Sequence, residues 1–310
     1  MLVYSIFRQL KRQKNWEGSL QQIWESLDSN SGWILFLVTM LMLVNWGIEA
    51  RKWQLAIHGI QSIPFMRAFK AIFTGTTLAF FTPNRMGEYM GRILYINEGK
   101  RIQAIAVTIV CSMAQLLVTF VGGIAGLLFL KNAIVSSSES GSTGAWINIS
   151  VIIIAVIVVM LALLYFRLER VTKLVRRSLG IKKYVAYIEV LDKFNATILL
   201  RILSLCLLRY AVFVLQYFLF FQLFKVEVNW WQTFWSVSVV FLILAIVPSI
   251  ALLSELGIRW KASMDLVALF SNNITGILAT SLAIWIINLV IPALIGSLLI
   301  LGIKFFKKQE

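Results

Sequence analysis

From Ile102 to Leu130 the chain runs almost thirty residues without a formal charge. About 20 apolar residues in a helix cross the ~30 Å hydrocarbon layer of a bilayer. No water reaches the backbone there, so each peptide group must find its partner inside the segment, which restricts such a run to a membrane helix. Further apolar runs lie at Gly32 to Leu55, Phe65 to Phe81, Trp146 to Phe166, Thr197 to Phe224, Gln232 to Val247, and in a last stretch that reaches Ile303. The pattern predicts an all-α polytopic membrane protein with about 6–8 membrane segments. Composition agrees: 59% of residues are hydrophobic and only 14% charged, with a mean hydropathy of +0.83, outside the range of a soluble domain.

The net charge of +15 raises the possibility of nucleic acid. The lysines and arginines, however, sit in short connections between apolar runs and do not form an aromatic-interleaved face, so no nucleic-acid partner is expected. Membrane topology and anionic lipid account for them. The linker Ser136 to Gly144 carries no Lys or Arg, whereas the run after Phe166 contains Arg167, Arg170, Lys173, Arg176, Arg177, Lys182 and Lys183. The positive-inside bias places the serine linker outside and the basic segment in the cytoplasm. Residues 1–31 lack a compact apolar core and cleavage site; Trp16, Leu20, Ile23, Trp24 and Leu27 recur at helical spacing, as in a cytoplasmic or interfacial amphipathic helix. Tyr184 to Phe194 reads as a second surface helix, and residues 304–310 as a basic cytoplasmic tail. Cys111 and Cys206 lie in apolar runs and His58 is the single histidine, so neither a disulfide framework nor a metal site is expected, and no cofactor.

Two apolar helices end in polar breaks. The first break is Thr82 to Arg92, with Pro83, Gly87, Glu88, Gly91 and Arg92; the second follows Val247, with Pro248, Glu255, Gly257 and Arg259. Their common outline of proline, carboxylate, glycine and arginine suggests two repeats, 32–166 and 197–303, joined by the basic linker 167–196. A helix broken within a membrane presents unpaired N–H and C=O groups, and a pair of such breaks points to a transport site near the midplane. Arg209 lies about 18 Å into its span at 1.5 Å per residue. An arginine at that depth costs roughly 2.5 kcal/mol or more unless it meets water, a carboxylate or an anionic headgroup. Gln115, Gln216 and Asn288 are supporting polar positions. Glu49, Arg51 and Lys52, flanked by Trp46 and Trp53 near the end of the first span, read as charges snorkelling to the interface. The purely structural alternative is a kinked helix held by a salt bridge such as Glu88 to Arg209.

Ala50-Arg51-Lys52-Trp53, the run Thr82-Pro83-Asn84-Arg85-Met86-Gly87-Glu88 with Arg92, and Pro248 followed by Glu255-Leu256-Gly257-Ile258-Arg259 resemble the flippase-like transmembrane family. That family includes the membrane flippase half of lysylphosphatidylglycerol synthase, or multiple peptide resistance factor. The resemblance spans about 32–303, and Ser249 to Ser254 departs from a version richer in glycine and proline. It implies an integral protein of the cytoplasmic (inner) membrane, related to proteins that move lipids between leaflets. It does not imply aminoacyl transfer, which belongs to a separate soluble domain in full-length relatives, and no such domain is expected within 310 residues already occupied by spans.

The expected function is translocation of an anionic or zwitterionic phospholipid, or of a polyprenyl-phosphate-linked lipid. Arg85, Arg92, Arg209 and Arg259 would attract phosphate, and Glu88 and Glu255 would hold these arginines in the empty site or bind a proton or a headgroup amine. The expected partners are membrane lipids. One alternative is an intramembrane lipid-modifying transferase with Glu88 or Glu255 as base, although no nucleophile and base pair, P-loop, HExxH or Asp-rich metal motif is present. Another is a non-catalytic partner of a cell-envelope glycosyltransferase.

Overall fold

The computed structural model describes residues 32–138, 141–168, 172, 189–248 and 252–306, and these are helical apart from turns and connections. The helices are α1 (Gly32–Ile57), α2 (Phe65–Phe80), α3 (Gly87–Ile93), α4 (Arg101–Ser137), α5 (Thr143–Phe166), α6 (Ala196–Leu223), α7 (Trp230–Ile246), α8 (Leu252–Val267), α9 (Ile274–Trp285) and α10 (Ile291–Phe306). Among the described residues, five segments are long and apolar enough to cross a membrane: α1, Glu98–Ser137, α5, α6 and Ile274–Leu301; α7 is a shorter apolar helix. The expected architecture of a multi-pass α-helical membrane protein is therefore observed. The amphipathic helix expected in 1–31, most of the basic linker and the tail beyond 306 lie outside the described residues. Of the surface helix expected over 184–194, Glu189–Lys193 forms a 3-10 turn.

Between α9 and α10 the helix widens into a π turn at Ile286–Val290. Pro292 explains it, since proline donates no hydrogen bond and its ring crowds the carbonyl four residues back, that of Asn288.

The chain divides into two compact units, and α1, α4, α5 and α6 contribute residues to both. The first unit comprises residues up to Leu43, Thr119–Ala155 and Ala211–Val290. Its core joins Leu130 of α4 to Val239 and Val240 of α7 and Ala262 and Leu266 of α8, so α8 packs back along α7 after the second break. Glycines let α4 come close: a Cβ on Gly126 would lie 2.8 Å from the Trp235 carbonyl, and one on Gly123 would press on Leu242. Asn229 and Gln232 form a reciprocal capping box that starts α7 after the preceding turn.

The second unit comprises Val44–Val118, Val156–Tyr210 and the residues from Ile291 onward. It contains the first break. After α2, Thr82 accepts a 2.7 Å hydrogen bond from the Gly87 N–H and donates to the Leu78 carbonyl at 3.1 Å, bridging the end of one helix to the start of the next. Pro83–Arg85 forms a 3-10 turn in which Asn84 (φ 50°) and Arg85 (φ 60°) are left-handed. Two successive non-glycine residues in that region are unusual for L-amino acids. The chain reverses here, and α3 runs back against α2 with glycine facing backbone: Gly91 against Gly75, and Gly87 against Leu78 and Ala79. On its other side α2 receives α10, where Gly296 meets the Phe73 carbonyl and Thr77 donates to the carbonyl of Ala293 at 2.8 Å.

Candidate functional site

A single stripe of α1 sets the site. Asn45, Glu49, Lys52 and Ala56 recur at i, i+4, i+7 and i+11, so they share one helix face, and all four are buried together with Trp46 and Trp53. Arg51, on another face, is exposed and donates to Gln54. The snorkelling expected for Glu49 and Lys52 does not occur. These side chains lie inward because partners wait there: the Glu49 carboxylate receives Lys52 Nζ at 2.6 Å, Arg92 Nη2 at 2.9 Å and Arg209 Nη1 at 2.9 Å.

The cluster is built from four helices. α1 supplies Asn45, Glu49 and Lys52; α3 supplies Glu88 and Arg92, which pair with each other one turn apart; α6 supplies Arg209; and α4 contributes Thr108, which accepts from Trp53 Nε1 at 3.1 Å. Arg209 is held three ways, by Glu49, by Asn45 Oδ1 at 3.0 Å from its Nε, and by the Trp46 ring 5.3 Å below its Cζ. Arg92 reaches the centre because Gly75, Gly87 and Gly91 let α3 lie almost backbone to backbone on α2. Larger residues would push the helix, and the guanidinium with it, outward.

Three cations meet two carboxylates, which leaves an excess of one positive charge. The centre is closed, with Glu49 only 3% exposed, while Glu88 (27%) and Arg209 (13%) form its accessible edge. Arg92 Nε is buried and has no hydrogen-bond partner among the described residues. Burying charges is costly unless they are paired and their remaining donors are met. A positive excess with a spare guanidinium N–H is therefore suited to an anion approaching from the Glu88 and Arg209 side.

The first unit repeats part of this chemistry. Arg259 of α8 donates to Glu255 one turn earlier at 3.0 Å and to Tyr217 Oη of α6 at 2.7 Å, and its Nε is likewise buried without a partner among the described residues. Deeper in the same unit, Gln216 donates to the Val38 carbonyl at 3.1 Å and accepts from Asn288 at 3.1 Å. Each break is thus followed by a short helix carrying the sequence Glu-x-x-x-Arg and a formed pair, Glu88 with Arg92 and Glu255 with Arg259.

Of the residues expected from sequence, Glu88, Arg92 and Arg209 come together in one unit, and Glu255 with Arg259 in the other. Arg85 stands at the turn of the first break, half-buried. The alternative bridge from Glu88 to Arg209 is replaced by separate partners, Arg92 for Glu88 and Glu49 for Arg209. Gln216 and Asn288 bond to each other, while Gln115 Oε1 is buried without a partner among the described residues. Pro83, Gly87 and Gly91 form the first reversal; Pro248 ends the helical run of α7, and Gly257 lies within α8. Glu49 and Lys52 were missed as site residues, and so was Tyr217.

Residues 16–296 match the family described as the lysylphosphatidylglycerol synthase TM region. The chain belongs to that family. No curated protein and no solved structure matches it. Family membership makes the protein a multi-pass membrane protein of the lysylphosphatidylglycerol synthase or flippase type, in agreement with its five long apolar segments.

Proposed function

We propose that this member of the lysylphosphatidylglycerol synthase TM family translocates a lipid between leaflets of the cytoplasmic (inner) membrane, with the Glu49-centred cluster receiving the headgroup. The observation that carries the reading is the positive excess at that cluster, edged by Glu88 and Arg209, with Arg92 Nε left as an unused buried donor. A phosphate oxygen satisfies that donor and cancels the excess, while Glu88 is placed to trade Arg92 for a headgroup amine. The reversal at Pro83–Arg85 makes α2 and α3 a re-entrant hairpin in this reading, which brings a polar turn to a depth where a headgroup crosses. The acyl chains stay in lipid.

The test is leaflet-specific lipid labelling in vesicles reconstituted with purified protein. Arg209→Ala and Glu88→Gln each lose one charged hydrogen-bond partner, a contribution of roughly 1.5–3 kcal/mol, so transfer slows about tenfold or more in each. Wild-type rates in both variants would sink the assignment.

A further inference from the structure

A cavity lies where α1 ends and α6 begins. It encloses about 230 Å³, less than the roughly 300–1,000 Å³ of a pocket that swallows a drug-sized ligand whole. One wall is apolar, formed by Leu55, Val190, Phe194 and Ile198. His58, Lys193 and Arg201 also line it, and none of the described lining residues is a carboxylate. Ala56, the last residue of the buried α1 stripe, lines the cavity, but the charged members of the cluster do not. Arg201 precedes Arg209 by eight residues on α6, about 12 Å along the axis, and none of the Glu49-centred ion-pair residues lines it.

The rim is built as well as charged. Lys193 Nζ donates to the Gly59 carbonyl at 3.0 Å and so fastens the turn after α1 to the connection before α6, leaving two of its ammonium hydrogens for another acceptor. Arg201 and His58 are exposed. Val190 of this connection is buried, as is Leu199 in the first turn of α6, whose carbonyl takes a 2.9 Å hydrogen bond from Tyr165. A basic mouth on an apolar wall, too small for a whole amphiphile, matches the phosphate of an anionic phospholipid with the first carbons of its chains, the remainder lying in the bilayer.

We propose that this cavity binds the headgroup region of an anionic phospholipid. The site is distinct from the one assigned to translocation and does not depend on that reading. Basic side chains near an anionic membrane contribute roughly fivefold each in affinity.

The experiment uses the full chain in bilayer nanodiscs containing a phosphatidylglycerol analogue with a diazirine near the glycerol, followed by mapping of the adducts by peptide mass spectrometry. Labels are expected on the peptides holding Leu55 to Gly59 and Val190 to Arg201. Unlabelled phosphatidylglycerol removes them, whereas phosphatidylcholine and inorganic phosphate do not. Arg201→Ala shifts half-saturation about fivefold, and Lys193→Ala with Arg201→Ala about 30-fold. Ile198→Trp fills the apolar wall and abolishes the label while every charge remains, so a loss shared by both kinds of variant, with unchanged thermal unfolding, reports the cavity itself. Adducts elsewhere, equal competition by phosphatidylcholine, displacement by inorganic phosphate, or wild-type labelling in Ile198→Trp would each overturn the proposal. Because lipid transfer is measured separately, loss of labelling with intact transfer leaves the translocation reading standing, and the converse leaves this one.

Discussion

Replacing Glu49 by glutamine removes the one group that touches three cations. In the native cluster Glu49 stands 2.6 Å from Lys52 and 2.9 Å from both Arg92 and Arg209, and only 3% of it is exposed. Glu49→Gln keeps the shape but doubles the positive excess, from one charge to two, with Glu88 as the last carboxylate of the group. Removing one partner from a buried ion pair costs roughly 3–5 kcal/mol. At about 2 °C of melting temperature per kcal/mol for a chain of this size, thermal unfolding of the detergent-purified protein falls by roughly 6–10 °C. Glu88→Gln is the internal comparison, because Glu88 is 27% exposed and forms its ion pair with Arg92. Its loss is about 1–2 kcal/mol, or roughly 2–4 °C. A third variant, Glu49→Gln with Lys52→Met, restores the original excess and recovers part of the loss. If Glu49→Gln melts no lower than Glu88→Gln, or if the double variant is worse than the single, the account of Glu49 as the hub is wrong.

Three further outcomes are expected. Gly91→Ala places a methyl against the Gly75 backbone and Gly99→Ala places one in open space, so the first lowers unfolding stability by about 1–3 kcal/mol and the second leaves it near wild type, as read by chemical denaturation. Tyr217→Phe removes the 2.7 Å acceptor of Arg259 and costs about 1.5–3 kcal/mol, whereas Tyr89→Phe, which loses only a 3.4 Å contact to Ser112, costs less in the same assay. Asn288→Ala takes away the 3.1 Å hydrogen bond to Gln216 and costs about 1–3 kcal/mol, measured as increased proteolysis at a fixed denaturant concentration.

The spans were legible because a bilayer imposes length and apolarity on them, and each observed long helix begins and ends within a few residues of its apolar run, except that α4 extends past Leu130 to Ser137. The first break was legible for a related reason: proline, two glycines and a Glu-Arg pair have no place inside an apolar helix unless the chain turns. Glu49 and Lys52 were not legible from position along the chain, since charges near tryptophans at a helix end look the same whether they reach for water or for each other. What separates the two cases is angle. Asn45, Glu49 and Lys52 fall on one face, continued by Ala56 on one side and Val38 and Met42 on the other, and a charged stripe sustained over two turns cannot face lipid. The partner of Arg209 was likewise out of reach, because Glu49 lies 160 residues away and only the packing of α1 against α6 selects it over Glu88. Tyr217 looked like one aromatic among many until the approach of α8 gave its hydroxyl a guanidinium to receive.

The distribution of the five charges along the chain also bears on how the protein is made. Glu49 and Lys52 are three residues apart and Glu88 and Arg92 four, so each of the first two deliveries to the membrane brings its own counter-ion and is electrically balanced. Arg209 has no acidic neighbour within four positions in the sequence, and its carboxylate was synthesised 160 residues earlier. At about 5–20 residues per second that interval lasts roughly 8–30 s. The four charges contributed by α1 and α3 therefore sum to zero before α6 is made, and the positive excess enters with Arg209, the last of the five in the order of synthesis.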